Sequence, residues 1–337
     1  MLDKPFKDYY EQIEILKDRN LIMDDLSFAV HALSEYSYYS LINGVGEVYL
    51  KSKNLNVFKD GTSIEELVAV YVLDKHFRTI ILSQIMSIEK SLKTKLSYWI
   101  SFKYGADNNG ENSYIRINNY SSKHSGMRRS VINNAKDIMS SKTKHKGKNK
   151  SSSLMHYINN HNHIPPWILI DEMTLGEVQY FYKIFKSEDK DMLSKSLFRL
   201  WEQTYKLNYN ERLEFTSLSL EMVRKYRNLC AHGDLIIKSN VSAYISPKFL
   251  IDFFDNEKII STSDIKNGIS SNGLYVCILT IVSLTDDTDQ LNIFLNSLLD
   301  IKNAVETSSY DIISIYNIFK LPSDFYERIS AILKWIS

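Results

Sequence analysis

Apolar positions along the chain recur mainly at three- and four-residue steps, the spacing of helices with one buried face. Between Glu211 and Asp234 the residues Phe215, Leu218, Met222, Tyr226 and Leu229 keep that step and predict a helix of about five to six turns. Gly233 follows as its C-cap and puts His232 in the last turn. Upstream, Tyr9, Ile13 and Leu16 mark a helix over 7–18. Phe28, Ala32 and Leu33 mark another over 24–39, with Asp24 or Asp25 as its N-cap. Thr62 or Ser63 opens a long helix from Ile64 to about Phe102, with Glu65 and Glu66 in its first turn and a kink or break expected near Ser83.

Gly44, Gly46 and the polar stretch 51–61 read as loop. Residues 167–185 read as two helices with Asp171, Glu172, Thr174 and Gly176 in the turn between them, and 187–206 continues the helical pattern. Beyond Gly233 the pattern is mixed: 241–255 fits extended or helical structure, 274–284 is a continuous buried element, and 289–299, 310–319 and 324–336 are helices. With only 5 prolines and 11 glycines to punctuate it, the chain is expected to be all-α. We divide it into an N-terminal helical region (1–60), a helical core (61–235) and a mainly helical C-terminal region (236–337) packed on that core.

Composition narrows the function. A formal charge of +1 excludes a global field that would draw the whole protein to nucleic acid, so any such attraction must be local. The 2 cysteines, Cys230 and Cys277, cannot build a disulfide framework and neither has a zinc-ligand spacing. The N-terminus lacks the apolar stretch of a signal peptide and no run is long enough to span a membrane, so a cytoplasmic location is expected.

One segment is asymmetric. Residues 108–153 are rich in Asn, Ser, Gly and Lys, and the later part carries Lys123, Arg128, Arg129, Lys136, Lys142, Lys144, Lys146, Lys148 and Lys150 against the single acid Asp137. The segment reads either as a solvated insertion, mobile over 140–152, or as an arm for a polyanion. His156, His161 and His163 suggest a metal site, but nothing is spaced to complete it and no cofactor is expected. Tyr36, Tyr38 and Tyr39 fit base stacking, and fit better the joining of two helices by half-buried rings.

The strongest chemistry sits at the end of the 211–234 helix. Asn228 and His232 are four apart and share a face, and Arg227 is long enough to swing toward them. An imidazole moves protons near neutral pH, a guanidinium holds two phosphate oxygens, and an amide orients either, which are the parts phosphodiester cleavage needs. The same pattern fits a capped core helix whose Arg and His serve the carbonyl end of the helix dipole, and spacing alone does not separate the two. On the long helix, Asp74 with Arg78 and Glu89 with Lys93 are opposite charges four apart, expected to be solvated pairs that contribute only tenths of a kcal/mol.

Taken together, several stretches resemble the Abi-like family of bacterial abortive-infection proteins, of the AbiD and AbiF type, within the HEPN superfamily. They are Lys4-Pro5-Phe6 with Glu11-Gln12 and Leu16; Phe58 with Gly61-Thr62-Ser63; Asp74 through Arg78; Ile88-Glu89; Pro166-Trp167 with Glu172, Thr174, Leu175 and Gly176; Tyr226-Arg227-Asn228 with Cys230-Ala231-His232; and Leu321 through Phe325. The resemblance implies an all-α HEPN-type bundle with helical extensions and the basic insertion, and a metal-independent ribonuclease site used against phage. It implies Arg227 and His232 as the catalytic pair, Asn228 beside them, and Glu89 as a polar residue of the facing helix.

It also implies a homodimer, because HEPN sites pair two such motifs and no other arginine here has a histidine five positions on. RNA is the expected partner, as substrate and as a small regulatory non-coding RNA, held by Lys93 and by the cations at 123–150. Asp234 stands where the family pattern has a basic residue, and Lys93 where an arginine is common. An RNA-binding or protein-interaction module on the same scaffold is the alternative.

Overall fold

The computed structural model describes residues 5–52, 54–140, 144–145, 147–239, 241–269 and 271–333. Ser63 accepts the backbone N–H of Glu66 and starts α3 (Ile64–Tyr104), 41 residues without a break at Ser83. Fourteen further α-helices occur among the described residues. Before α3 come α1 (Tyr9–Asp18), capped by Asp8, and α2 (Leu26–Glu35), capped by Asp25. After it come α4 (Ser125–Met139), α5 (Ser152–Asn160), α6 (Pro166–Glu172), α7 (Leu175–Lys183), α8 (Ser187–Leu197) and α9 (Tyr209–His232). The C-terminal set is α10 (Pro247–Phe254), α11 (Thr262–Lys266), α12 (Leu274–Leu284), α13 (Thr288–Glu306), α14 (Ile312–Phe319) and α15 (Phe325–Leu333). The sole strands among the described residues form a two-residue hairpin, Lys144–His145 with Lys148–Asn149. No helix among them is long and apolar enough to cross a membrane.

The centre of the bundle is α3 against α9, with α7, α8 and α12 on the remaining sides of α9. That enclosure explains why the buried face of α9 is broader than its apolar stripe. Thr216, Ser219, Val223 and Cys230 are buried beside Phe215, Met222 and Tyr226, while Leu218 and Leu229 are half-buried. Small side chains bury because neighbouring backbones come close. Every residue of α12 is buried. Gln84 of α3 donates to Thr285 at 3.0 Å, and the Tyr226 hydroxyl of α9 donates to the carbonyl of Asn272 at 3.1 Å, so the C-terminal region completes the core of the bundle.

Three expectations from the local pattern fail for tertiary reasons. Gly44 and Gly46 are not loop. They lie in a π-helical turn (Tyr39–Gly44) and a 3-10 turn (Val45–Tyr49), where Gly44 faces the Leu235 side chain so closely that an added Cβ would stand 2.6 Å from Cδ1. The segment 108–153 is not a wholly solvated insertion, since Tyr114 and Tyr120 are fully buried and α4 buries Ile132, Ala135 and Ile138. The Asp74–Arg78 pair is not a solvated pair: Asp74 is 0% exposed.

Candidate functional site

Antiparallel packing of α3 and α9 follows from two links, Arg78 beside Gly233 at one end and α8 joining both helices at the other. There Lys103 and Tyr104 bind Asp189, and Arg212 binds Asp191. At its carbonyl end α9 stops at Gly233, whose φ of 78° is a left-handed conformation that glycine adopts without a Cβ penalty. The Asp234 N–H bonds the Leu229 carbonyl at 3.1 Å and the Gly233 N–H bonds the Cys230 carbonyl at 3.2 Å, the two hydrogen bonds of a Schellman motif.

Arg78 holds the turn that follows. Its Nη1 donates to the Gly233 carbonyl at 3.2 Å, its Nε donates to Asp74 Oδ2 at 2.7 Å, and Asp74 Oδ1 accepts the Ile237 N–H at 3.2 Å. Burial raises the Asp74 carboxyl above its ordinary range against the pull of Arg78 and the backbone donors. Burial likewise pushes the Cys230 thiol up to about 12, so it stays protonated at neutral pH.

None of these bonds uses the polar side chains of the last turn and a half of α9. Asn228 is half-buried, Arg227 half-buried and His232 exposed, and none of the three makes a hydrogen bond or ion pair among the described residues. The other arginines, Arg129 apart, all bind acids, a side-chain amide or backbone carbonyls, as Arg212 does Asp191, Arg224 does Gln179, Arg328 does Asp264 and Arg199 does Asp286. Lys225, Asn228 and His232 form one stripe along α9 and line an open groove of about 660 Å³, whose other walls include Tyr39, Asp234 and Lys238. Arg227 does not line it. At 3.6 residues per turn Arg227 and His232 point about 140° apart around the helix.

The remaining predicted residues divide. Glu89 and Lys93 pair with each other at 3.0 Å, both largely buried, and Lys93 also donates to the Asp171 carbonyl at 3.2 Å. Among the described residues Glu89 makes no hydrogen bond or ion pair with Arg227 or His232. In the basic segment Lys123 and Arg129 are exposed. Arg128 instead donates to the Ile117 and Tyr120 carbonyls at 3.3 and 3.2 Å, and Lys150 is buried with its amine on the Ser140 carbonyl. Lys142 and Lys146 lie outside the described residues. Lys144 and Lys148 belong to the hairpin. A second groove, of about 410 Å³, is lined by Arg116, Arg129 and Lys136 together with Asn118 and Asn133.

His156 and His161 face each other with their Nε2 atoms 3.3 Å apart, and His163 contacts Asn162. No group of three His, Cys, Asp or Glu side chains that could hold a metal ion occurs among the described residues. Sequence reasoning missed the roles of Asp74 and Arg78 at the end of α9, although their i,i+4 spacing was visible.

An all-α bundle built around a long helix and an antiparallel partner that ends in a free polar cluster is the class of protein this geometry defines. The chain belongs to the Abi-like protein family, whose model matches residues 31–238, more than half its length. That membership supports a role in abortive-infection defence against phage. No curated protein and no solved structure matches the chain.

Proposed function

We propose that this protein acts in phage defence as a HEPN-type ribonuclease, cleaving RNA through the substrate's own 2′-hydroxyl. The observation that carries the reading is the division of labour at the end of α9. The Gly233 turn takes the Leu229 and Cys230 carbonyls and Arg78 takes the Gly233 carbonyl, while among the described residues Arg227, Asn228 and His232 have no hydrogen bond or ion pair. An unpaired guanidinium and imidazole at one helix end contribute little to the fold and are suited to chemistry.

In the reaction the 2′-oxygen attacks phosphorus, the 5′-oxygen leaves, and a 2′,3′-cyclic phosphate and a 5′-hydroxyl result. The 2′-hydroxyl must lose a proton and the leaving oxygen must gain one, so two proton carriers are needed. His232 supplies one per chain. A twofold dimer that brings two α9 ends together supplies both, with Arg227 stabilising the charge that grows on the phosphate. Lys123 and Arg129, exposed, are placed to hold substrate or a small regulatory RNA by phosphate contacts.

A second reading, an RNA-binding or protein-interaction module without cleavage, is favoured by Asp234 in the groove beside His232 and by Arg227 lying outside that groove. End-group analysis with chelator present separates the two. Cyclic phosphate ends from wild type, absent with Arg227→Ala and His232→Ala, support the nuclease; 3′-hydroxyl ends or undiminished products from the variants overturn it.

A further inference from the structure

Of the three tyrosines at 36, 38 and 39, two are accounted for by packing. Tyr36 lies against the Tyr71 ring with centroids 5.0 Å apart, and the Tyr38 hydroxyl accepts a hydrogen bond from Arg19. Among the described residues the Tyr39 side chain has no ring contact or hydrogen bond; it is 76% exposed and lines the same groove as the stripe Lys225, Asn228 and His232.

Its position is built rather than incidental. The turn that begins with Tyr39 is locked to the segment after α9 by the Gly44–Leu235 approach, by Lys238 donating to the Asn43 carbonyl at 2.9 Å, and by the Lys238–Glu47 ion pair at 2.5 Å. Asp74 and Arg78 hold the same segment from the other side. An exposed aromatic ring on a held backbone turn, lining one groove with an amine and an amide that have no partner among the described residues, presents the parts that recognise an unpaired nucleotide: a face for the base, a cation for the phosphate and an amide for a base edge.

We infer that Tyr39 is a base-stacking residue and that the groove takes single-stranded RNA, with one base on the Tyr39 ring and the adjoining phosphate at Lys225. This deepens the nuclease reading and rests on it for placing RNA beside His232. Duplex is excluded because a paired base cannot leave its own stack for the ring without unpairing. The hydroxyl of Tyr39 has no role in the arrangement, since the ring face alone does the binding.

The test uses the full chain and a probe that cannot be cleaved through a 2′-hydroxyl, a fluorescent 2′-O-methyl oligoadenylate, with affinity read by anisotropy. Tyr39→Ala is expected to weaken binding about tenfold, Tyr39→Phe to bind like wild type, and a backbone of abasic residues to bind equally to wild type and Tyr39→Ala. The same sequence in a duplex is expected to bind worse and to be insensitive to Tyr39→Ala. Equal affinity of wild type and Tyr39→Ala overturns the inference, as do a loss with Tyr39→Phe as large as with Tyr39→Ala, equal sensitivity on the abasic strand, and no binding of the oligoadenylate by wild type. A Tyr39→Ala protein that dissociates into monomers while keeping its affinity assigns the ring to a protein interface and overturns it too. Because the probe is inert to cleavage, these outcomes stand apart from the end-group assay: stacking can fail while Arg227 and His232 still cleave, and cleavage can fail while Tyr39 still stacks.

Discussion

Arg78 on α3 donates to the carbonyl oxygen of Gly233 at 3.2 Å, so the end of α9 is held by a guanidinium 155 positions earlier in the chain. The Arg78 Nε is at the same time on Asp74, whose other oxygen takes the Ile237 N–H. One buried ion pair thus fixes both the last turn of α9 and the path of the chain after it. Removing either partner leaves a buried charge unpaired, which costs about 3–5 kcal/mol. Arg78→Ala and Asp74→Ala are expected to lose stability of that order in urea titrations, and Arg78→Lys to recover little, because an ammonium cannot reach both acceptors with a planar fork.

Arg227 and His232 carry the opposite expectation. Having no partners among the described residues, they contribute little to folding, so Arg227→Ala and His232→Ala should unfold within about 0.5 kcal/mol of wild type while losing toxicity and RNA cleavage. The contrast with Arg212→Ala on the same helix is the control, because Arg212 is buried against Asp191 and its loss should lower stability. Similar destabilisation by all three substitutions would return α9 to a purely structural role.

The helices themselves were legible because their signals are local. Ser63 and Asp25 cap where the sequence places caps, Gly233 stops α9, the 3.6-residue pattern locates α3 and α9 to within a few residues, and the continuous apolar run marks the element that becomes α12. What the pattern does not carry is which polar residues end up inside. Asp74 and Arg78 have the spacing of an ordinary surface pair and become buried because the chain after α9 folds back over them. Tyr114, Tyr120 and α4 are hidden in a segment whose average composition is polar, so core formed by a few residues was masked by the many around them. Arg227 and His232 were found by spacing, yet the groove that His232 lines and Arg227 does not depends also on Tyr39 and Lys238, which come from other stretches.

Gly44 gives a test of that long-range packing. A Cβ there would lie 2.6 Å from Leu235 Cδ1, so Gly44→Ala requires the Leu235 side chain or the π-helical turn to shift. Overpacking of this kind costs about 1–3 kcal/mol. Leu235→Ala in the same chain removes the obstructing atom and is expected to restore part of the loss, which thermal melts of the single and double variants will show. By contrast Gly233→Ala meets no close neighbour, the nearest atom being Arg78 Nη1 at 3.8 Å, and should cost only the left-handed backbone penalty of about 1–2 kcal/mol.

The other end of α9 predicts a pH dependence. Burial pulls the Asp191 carboxyl upward, and hydrogen bonds from Arg212 and Lys195 more than offset it, leaving the group below its ordinary value of 3.8. A carboxyl depressed in the folded state contributes stability that is fully present above that ordinary value and is lost as pH falls through the folded one. Asp191→Asn should therefore be less stable than wild type at neutral pH, and the gap should narrow as pH drops below about 4. Urea titrations at stepped pH measure it; a gap that stays constant or widens in acid would assign the stabilisation to packing instead of charge.

The exposed cations of the basic segment make the last case. Arg129 has no partner among the described residues and lines a groove with Arg116 and Lys136, while Lys123 lies exposed just before α4, the helix that carries Arg129. Arg128 and Lys150, in contrast, spend their hydrogen bonds on carbonyls of the same segment, so their removal should destabilise the segment rather than change RNA binding alone. If Lys123 and Arg129 each neutralise one phosphate of a single strand, their joint replacement by glutamine should reduce the slope of log affinity against log salt by about 1.4, since each contact contributes about 0.7. The melting temperature should hardly move. An unchanged slope with unchanged stability would make the groove beside α4 irrelevant to RNA and leave the Tyr39 groove to account for binding by itself.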